Sequence, residues 1–250
     1  MSKLVYSNSL DPESIMLRVS QFGFCLLKKV FSVSNHMSSL IELRQQATNI
    51  NFASKISEKS ASPIGLLHKF NIGDSDPSID RFPRCFETIY VPQDVEEFYR
   101  FLNIFAPMIS LRNSLMGKCE NYVREVDSSV GLWTACRLQH YFRGGGFFGG
   151  HTDLIIDKIS STSNLQTVQL IGVLSNRGEH FETGGAYIET SSGRIDLDNE
   201  AEVGDVIVYD GASYHGVYDI DANHKFTTES QFGRWSALVS LYQLPKNYGL

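Results

Sequence analysis

Three side chains able to hold a metal ion, His151, Asp153 and His215, carry the most specific chemistry in this sequence. They occur in Gly149-Gly150-His151-Thr152-Asp153 and at the end of Val206-Ile207-Val208-Tyr209-Asp210-Gly211-Ala212-Ser213-Tyr214-His215. Residues i and i+2 of a strand point to the same face, about 7 Å apart, so His151 and Asp153 could grip one ion from one strand. His215, sixty-two residues after Asp153, would bring the third donor from another strand-like run. Two imidazoles and one carboxylate on one side of an ion suit non-haem iron(II), because they leave coordination positions open for further ligands. A His-x-Asp alone is common, so its weight rests on its surroundings.

The run Cys136-Arg137-Leu138-Gln139-His140-Tyr141-Phe142 precedes the triplet. Strand alternation puts Arg137, Gln139 and Tyr141 on one face and Leu138, His140 and Phe142 on the other. An Arg, Gln and Tyr face within a β fold points to a polar cavity, with His140 as a packed histidine. Gly144-Gly145-Gly146 and Gly149-Gly150 flank Phe147-Phe148 and permit close backbone approach. No Lys-Ser/Thr follows, so they are not a phosphate loop. Further on, Arg234-Trp235-Ser236 sets a guanidinium and a hydroxyl on one face of a strand. That pair suits a dicarboxylate, since the guanidinium can offer two parallel N–H groups. Arg137 is the second candidate for this anchor.

The elements that must position these groups form a mainly β pattern. Eight runs alternate with Gly-rich turns: Trp133–Phe142, His151–Asp157, Gln166–Leu174, Gly185–Glu189, Arg194–Leu197, Asp205–Tyr209, Tyr214–Tyr218 and Arg234–Leu244. They predict a jelly-roll or cupin-like double sheet. Ahead of them the pattern predicts a helix over Ser14–Phe22 stopped by Gly23 and a strand over Phe24–Val30. Ser32-Val33-Ser34 caps a second helix running to about Thr48. Residues 49–86 read as a long ordered loop, and Asp94–Val126 as mostly helical with a break or kink at Pro107. The expectation is a single domain over 1–250: a helical and loop-rich flank over 1–131 and a jelly-roll core over 132–250. Asn51–Phe86 and Asp219–Gly233 are both long enough to cover a site.

The chain has 250 residues, 42% hydrophobic and 20% charged, as in an ordinary globular protein. A net charge of −6 argues against a general nucleic-acid-binding surface. Cys25, Cys85, Cys119 and Cys136 form no C-x-x-C, so neither a disulfide framework nor a zinc pattern is indicated. With no signal-peptide core at Met1–Tyr6 and no membrane-length apolar run, the expected compartment is the cytoplasm.

Taken in order, His151-x-Asp153, His215 and Arg234-x-Ser236 on eight strands resemble the iron(II)- and 2-oxoglutarate-dependent dioxygenase superfamily, in particular its prolyl-hydroxylase-like members. The resemblance spans Trp133 to Leu244. It includes Tyr141, ten residues before His151, the Gly184-Gly185 turn and the Gly204–Tyr209 strand. It implies a double-stranded β-helix core with N-terminal helices. The implied metal ligands are His151, Asp153 and His215. The implied cofactors are Fe(II), 2-oxoglutarate and O2, with ascorbate as a supporting reductant. Arg234, with Ser236 or Tyr141, would hold the far carboxylate of 2-oxoglutarate, and Arg137 and Gln139 share that wall. The implied reaction is oxidation of an unactivated C–H bond, first of all hydroxylation, with release of succinate and CO2. A small molecule such as an amino acid or natural-product intermediate is the expected substrate, with no nucleic acid or membrane partner. A protein side-chain hydroxylase and a non-catalytic cupin-like binding protein are the alternatives. Two features bear on this. Arg234 follows His215 by nineteen residues, farther than in many members, which requires a longer loop. Related halogenases carry Ala or Gly at the Asp153 position, so its carboxylate favours hydroxylation, desaturation or cyclisation over halogenation.

Overall fold

A computed structural model of the chain describes residues 6–7, 11–32, 36–50, 67–71, 83–92, 96–124, 131–153 and 168–244. The elements run β1 (Tyr6–Ser7), α1 (Pro12–Phe22), β2 (Phe24–Leu27), α2 (His36–Ile50), β3 (Leu67–Asn71), β4 (Phe86–Val91), a 3-10 turn (Glu96–Phe101) and α3 (Leu102–Leu115). They continue with β5 (Leu132–Phe142), β6 (Gly146–His151), β7 (Val168–Val173), β8 (Gly185–Thr190), β9 (Gly193–Asp196), a 3-10 turn (Leu197–Asn199), β10 (Val206–Asp210), β11 (His215–Ile220) and β12 (Gly233–Gln243).

The strands form two sheets, one ordered β1-β2-β10-β7-β12-β5-β4-β3 and the other β6-β11-β8-β9. All pairings are antiparallel except β1 with β2. Alternation along each strand separates two cores. Phe24, Leu26, Tyr141, Val173, Ile207 and Tyr209 of the large sheet pack against Ala186, Ile188, Val217 and Ile220 of the small one. The opposite face of the large sheet, with Leu138, Leu170, Val206, Val208 and Val239, is covered by Ile15 and Val19 of α1, Leu40 and Leu43 of α2 and Phe105 and Met108 of α3. This is a jelly roll, the double-stranded β-helix expected, with the three described α-helices against the outer face of the large sheet.

Local chemistry explains most boundaries. Asp11 caps α1 by accepting from the Ser14 backbone N–H, and Gly23 ends it with φ of 83°. Other boundaries differ from expectation. The strand expected over Phe24–Val30 stops at Leu27, where Lys29 takes a positive φ of 54°. The loop expected over 49–86 contains β3 and leads into β4, and neither was foreseen. Its remaining residues, 51–66 and 72–82, lie outside the described ones, as do the capping residues 33–35. α3 runs through Pro107 unbroken and ends at Leu115, well short of Val126. A proline forfeits one helix hydrogen bond. The burial of Ile104, Phe105, Met108, Ile109 and Leu111 around it outweighs that loss. Of the strand expected over His151–Asp157, residues 154–157 lie outside the described ones; β6 ends at His151 and extends back through the glycines to Gly146.

Beneath α2, the side of the large sheet away from the small one holds a buried ionic cluster. Glu87 of β4 accepts from Arg44 Nε at 2.5 Å and pairs with His140 Nδ1 at 2.9 Å and His68 Nε2 at 2.8 Å. Burial alone would raise its pKa, but His140, His68 and Arg44 outweigh that and hold it down at about 2. A depressed carboxylate stabilises the fold above its ordinary value near 4.5, and that stabilisation is lost as pH falls toward 2. Glu87→Gln leaves three cationic or donor groups facing a neutral amide in a buried site. The variant should lose about 3 kcal/mol in urea unfolding at pH 7, and the gap to wild type should narrow when the measurement is repeated from pH 5 down to pH 3.

Candidate metal centre

β6 and β11 lie side by side in the small sheet, and His215 pairs directly with His151. Each ring is fixed by the same local device. His151 Nδ1 donates to the Gly149 carbonyl at 2.8 Å, and His215 Nδ1 donates to the Ser213 carbonyl at 2.8 Å. A carbonyl can only accept, so each Nδ1 carries the proton and each Nε2 keeps a lone pair for a metal. Asp153 follows the end of β6, where its N–H donates to the Gly211 carbonyl at 2.9 Å. Its Oδ1 lies 3.7 Å from His151 Nε2 and its Oδ2 lies 3.7 Å from His215 Nε2. One ligand atom from each of the three residues falls within 4.8 Å of the others. The residues expected to meet therefore do meet, although Asp153 comes from the strand's exit and not from the strand itself. Two imidazoles and a carboxylate at this spacing fit a divalent first-row ion.

The electrostatics agree with that fit. Burial would raise the pKa of Asp153, but the neighbouring His151, His215 and Arg137 hold it below the carboxylate range. Burial lowers His215 against the pull of Asp153. Burial also opposes a charge on His151, less enclosed, but the nearby Asp153 carboxylate and the hydrogen bond to the Gly149 carbonyl raise its pKa.

Two neighbours of the ligands had no separate role in the sequence reading. Tyr209 of β10 is buried, and its hydroxyl stands 3.3 Å from Asp153 Oδ2 and 3.4 Å from His215 Nε2. Burial pushes its phenol well above the usual tyrosine range. The run Val206–Tyr209 is apolar throughout and buried on both faces, so it marks a buried strand without saying which way Tyr209 points. Gly150, beside His151, lies against the far end of the Tyr214 ring, which would have to move aside for a Cβ there.

The second group of expected residues lies on the paired strands β5 and β12. Arg234 stands opposite Tyr141, and Ser236 opposite Gln139. Arg234 is 2% exposed and lies over the Tyr141 ring at 5.7 Å. Its fork is engaged inside the protein: Nε donates to Asp198 Oδ2 at 2.5 Å and Nη2 to Asp198 Oδ1 at 3.0 Å. A ligand carboxylate reaching Arg234 would meet Nη1. Asp198 also accepts from the Ala186 N–H at 2.6 Å. It comes from the turn after β9, and no local pattern marks it. Ser236 Oγ is buried with no hydrogen-bond partner among the described residues, and Tyr141 donates to Gln139 Oε1 at 3.2 Å. Arg137 donates to Ser240 Oγ at 2.7 Å and lies over the Tyr242 ring at 5.5 Å.

The expected cover Asp219–Gly233 does not lie over the metal residues. Phe226 packs on Phe142 at the hairpin end of β5 and β6 and stacks with Phe70. The Phe232 carbonyl accepts from His140 Nε2 at 3.2 Å, and the Thr228 carbonyl accepts from Arg44. The longer link between His215 and Arg234 is thus moored at the end of β6 away from His151. The other candidate cover, Asn51–Phe86, falls largely outside the described residues.

No family model matches the sequence, and no curated protein matches it either. Solved structures do. A 2OG-Fe(II) oxygenase family protein from Caulobacter crescentus is 12% identical with a TM-score of 0.54, over 98% of this chain and 87% of that one. A prolyl hydroxylase from Trichoplax adhaerens, in complex with a hypoxia inducible factor peptide, is 13% identical with a TM-score of 0.55, over 94% and 89%. The fold is that of the 2-oxoglutarate- and iron(II)-dependent oxygenases. The same oxygenase fold is shared with the alpha-ketoglutarate-dependent epimerase SnoN of nogalamycin biosynthesis, at 10% identity and a TM-score of 0.54 over 95% and 87%. No described helix is long and apolar enough to cross a membrane.

Removing either imidazole tests the centre directly. His151→Ala and His215→Ala should each weaken Co(II) binding by more than the 10- to 100-fold typical of losing an outer partner, measured by calorimetric titration. The metal-free melting temperature should stay near that of wild type.

Proposed function

We propose that this protein is an iron(II)- and 2-oxoglutarate-dependent oxygenase acting as one domain. It oxidises, first of all by hydroxylation, an unactivated C–H bond of a small molecule such as an amino acid or natural-product intermediate. The observation that carries this reading is the convergence of one ligand atom from each of two imidazoles and one carboxylate within 4.8 Å, inside the oxygenase fold. Bound iron with 2-oxoglutarate and O2 supplies the oxidising power, and succinate and CO2 leave. His151, Asp153 and His215 hold the metal and act as ligands, not as general bases.

The remaining work falls to the wall of β5 and β12. Arg234 Nη1, Ser236 Oγ and Tyr141 Oη are the donors suited to the far carboxylate of 2-oxoglutarate. An unpartnered buried hydroxyl at Ser236 supports a ligand there, because buried polar atoms normally find a partner. Burial of this wall strengthens such charge-assisted hydrogen bonds. Arg137 and Gln139, farther along the same face, are the second anchor candidates. Peptide side-chain hydroxylation is the competing reading, favoured by the shared fold with a prolyl hydroxylase bound to a peptide.

Anaerobically loaded protein with Fe(II), 2-oxoglutarate and ascorbate, exposed to O2 with a panel of amino acids and short peptides, should form succinate above its substrate-free rate with a small molecule. His151→Ala should form none. Failure of wild type to bind Fe(II) or 2-oxoglutarate would leave a non-catalytic cupin-like binder as the better description. A second test addresses the anchor. Arg234→Lys retains a cation for Asp198 but loses Nη1, a charged hydrogen bond of about 1.5–3 kcal/mol. It should raise the KM for 2-oxoglutarate roughly 10- to 100-fold with Co(II) affinity unchanged.

A further inference from the structure

The small sheet supplies the metal ligands, yet one residue of the large sheet reaches two of them. Tyr209 stands on β10, paired on one side with Phe24 of β2 and on the other with Gln169 of β7. Its backbone is therefore held on both sides. Its ring packs edge-on against the His215 imidazole, with centroids 4.7 Å apart at 62°. Its hydroxyl lies 3.3 Å from Asp153 Oδ2. A carboxylate accepts only, so the phenol O–H is the donor in that contact. Asp153 needs such a restraint, because it lies past the last residue of β6 and has no strand of its own to fix its side chain.

We propose that Tyr209 is a positioning residue for the metal-binding carboxylate. Its hydroxyl holds Oδ2 of Asp153 and leaves Oδ1, the oxygen nearer His151, for the metal, while its ring braces the His215 imidazole. An oxygen engaged by a hydrogen bond is a poorer second ligand, so Asp153 takes up one coordination position and not two. Outer partners of this kind fix ligand orientation and tune affinity. The inference rests on the metal centre proposed above. It adds a residue from outside the ligand set.

Co(II) serves as the probe, with binding read by calorimetry and coordination by the visible spectrum of the bound ion, on wild type and two variants. Tyr209→Phe removes one oxygen and keeps the ring. Ile207→Val trims an inward-facing, fully buried residue of the same strand whose apolar side chain can make no hydrogen bond to Asp153. Tyr209→Phe should weaken Co(II) binding about 10-fold or more and alter the visible spectrum. Ile207→Val should lower thermal stability with affinity and spectrum unchanged. Wild-type affinity and spectrum in Tyr209→Phe would overturn the role, as would equal weakening in Ile207→Val. If wild type binds no Co(II), the metal centre itself fails and this role with it.

Discussion

His215 lies directly across from His151 in an antiparallel pair, and that register cannot slip by one residue without turning an imidazole to the opposite face. Around this pairing the same short-range contact occurs twice. Each ring donates Nδ1–H to the carbonyl two residues before it, Gly149 in one case and Ser213 in the other. The backbone thereby decides the tautomer, and the tautomer decides which nitrogen faces Asp153. With both rings in the neutral form that metal binding requires, two imidazoles and one carboxylate present a single negative charge, which a dication complements.

Elsewhere in the interior, three buried carboxylates meet their counter-charges close by. Glu87 meets Arg44, His68 and His140 on the helix-covered side of the large sheet. Asp198 meets Arg234 on the other side. Asp221 accepts from the Glu182 and Thr183 N–H groups and from Arg143 at the start of the long β11–β12 link. These pairs tie strands to turns that the sheets alone would leave loose, because breaking one exposes its partner to an apolar surrounding. Asp198 also sets which edge of Arg234 a ligand can meet, so the anchor is shaped by a residue distant in sequence.

β5 and β7 to β12 lie close to where the sequence puts them, because most are apolar or β-branched runs between glycine-rich turns. The strand β4 is different: Phe86-Glu87-Thr88-Ile89-Tyr90-Val91 is fully buried, but its Glu looks like a surface residue and it follows a long turn-rich stretch. β3 sits in a stretch dominated by Ser, Asn, Asp and Gly, whose turn signals masked it. Pro107 misled in the opposite sense, because tertiary burial of α3 overrides a local preference. At the site, His151, Asp153 and His215 were legible from spacing, since strand period and ligand type agree. Asp198 was not, because its partner is thirty-six residues away and no motif joins them. The reach of Tyr209 to Asp153 depends on how two sheets face each other, which no strand shows by itself.

Gly150 and Tyr214 flank the two histidines from adjacent strands, and the ring of one occupies the space a side chain of the other would need. A lineage that gained a side chain at position 150 would have to shrink position 214 or swing its exposed ring outward. Among diverged descendants of this chain, the two positions should covary even where neither touches a ligand.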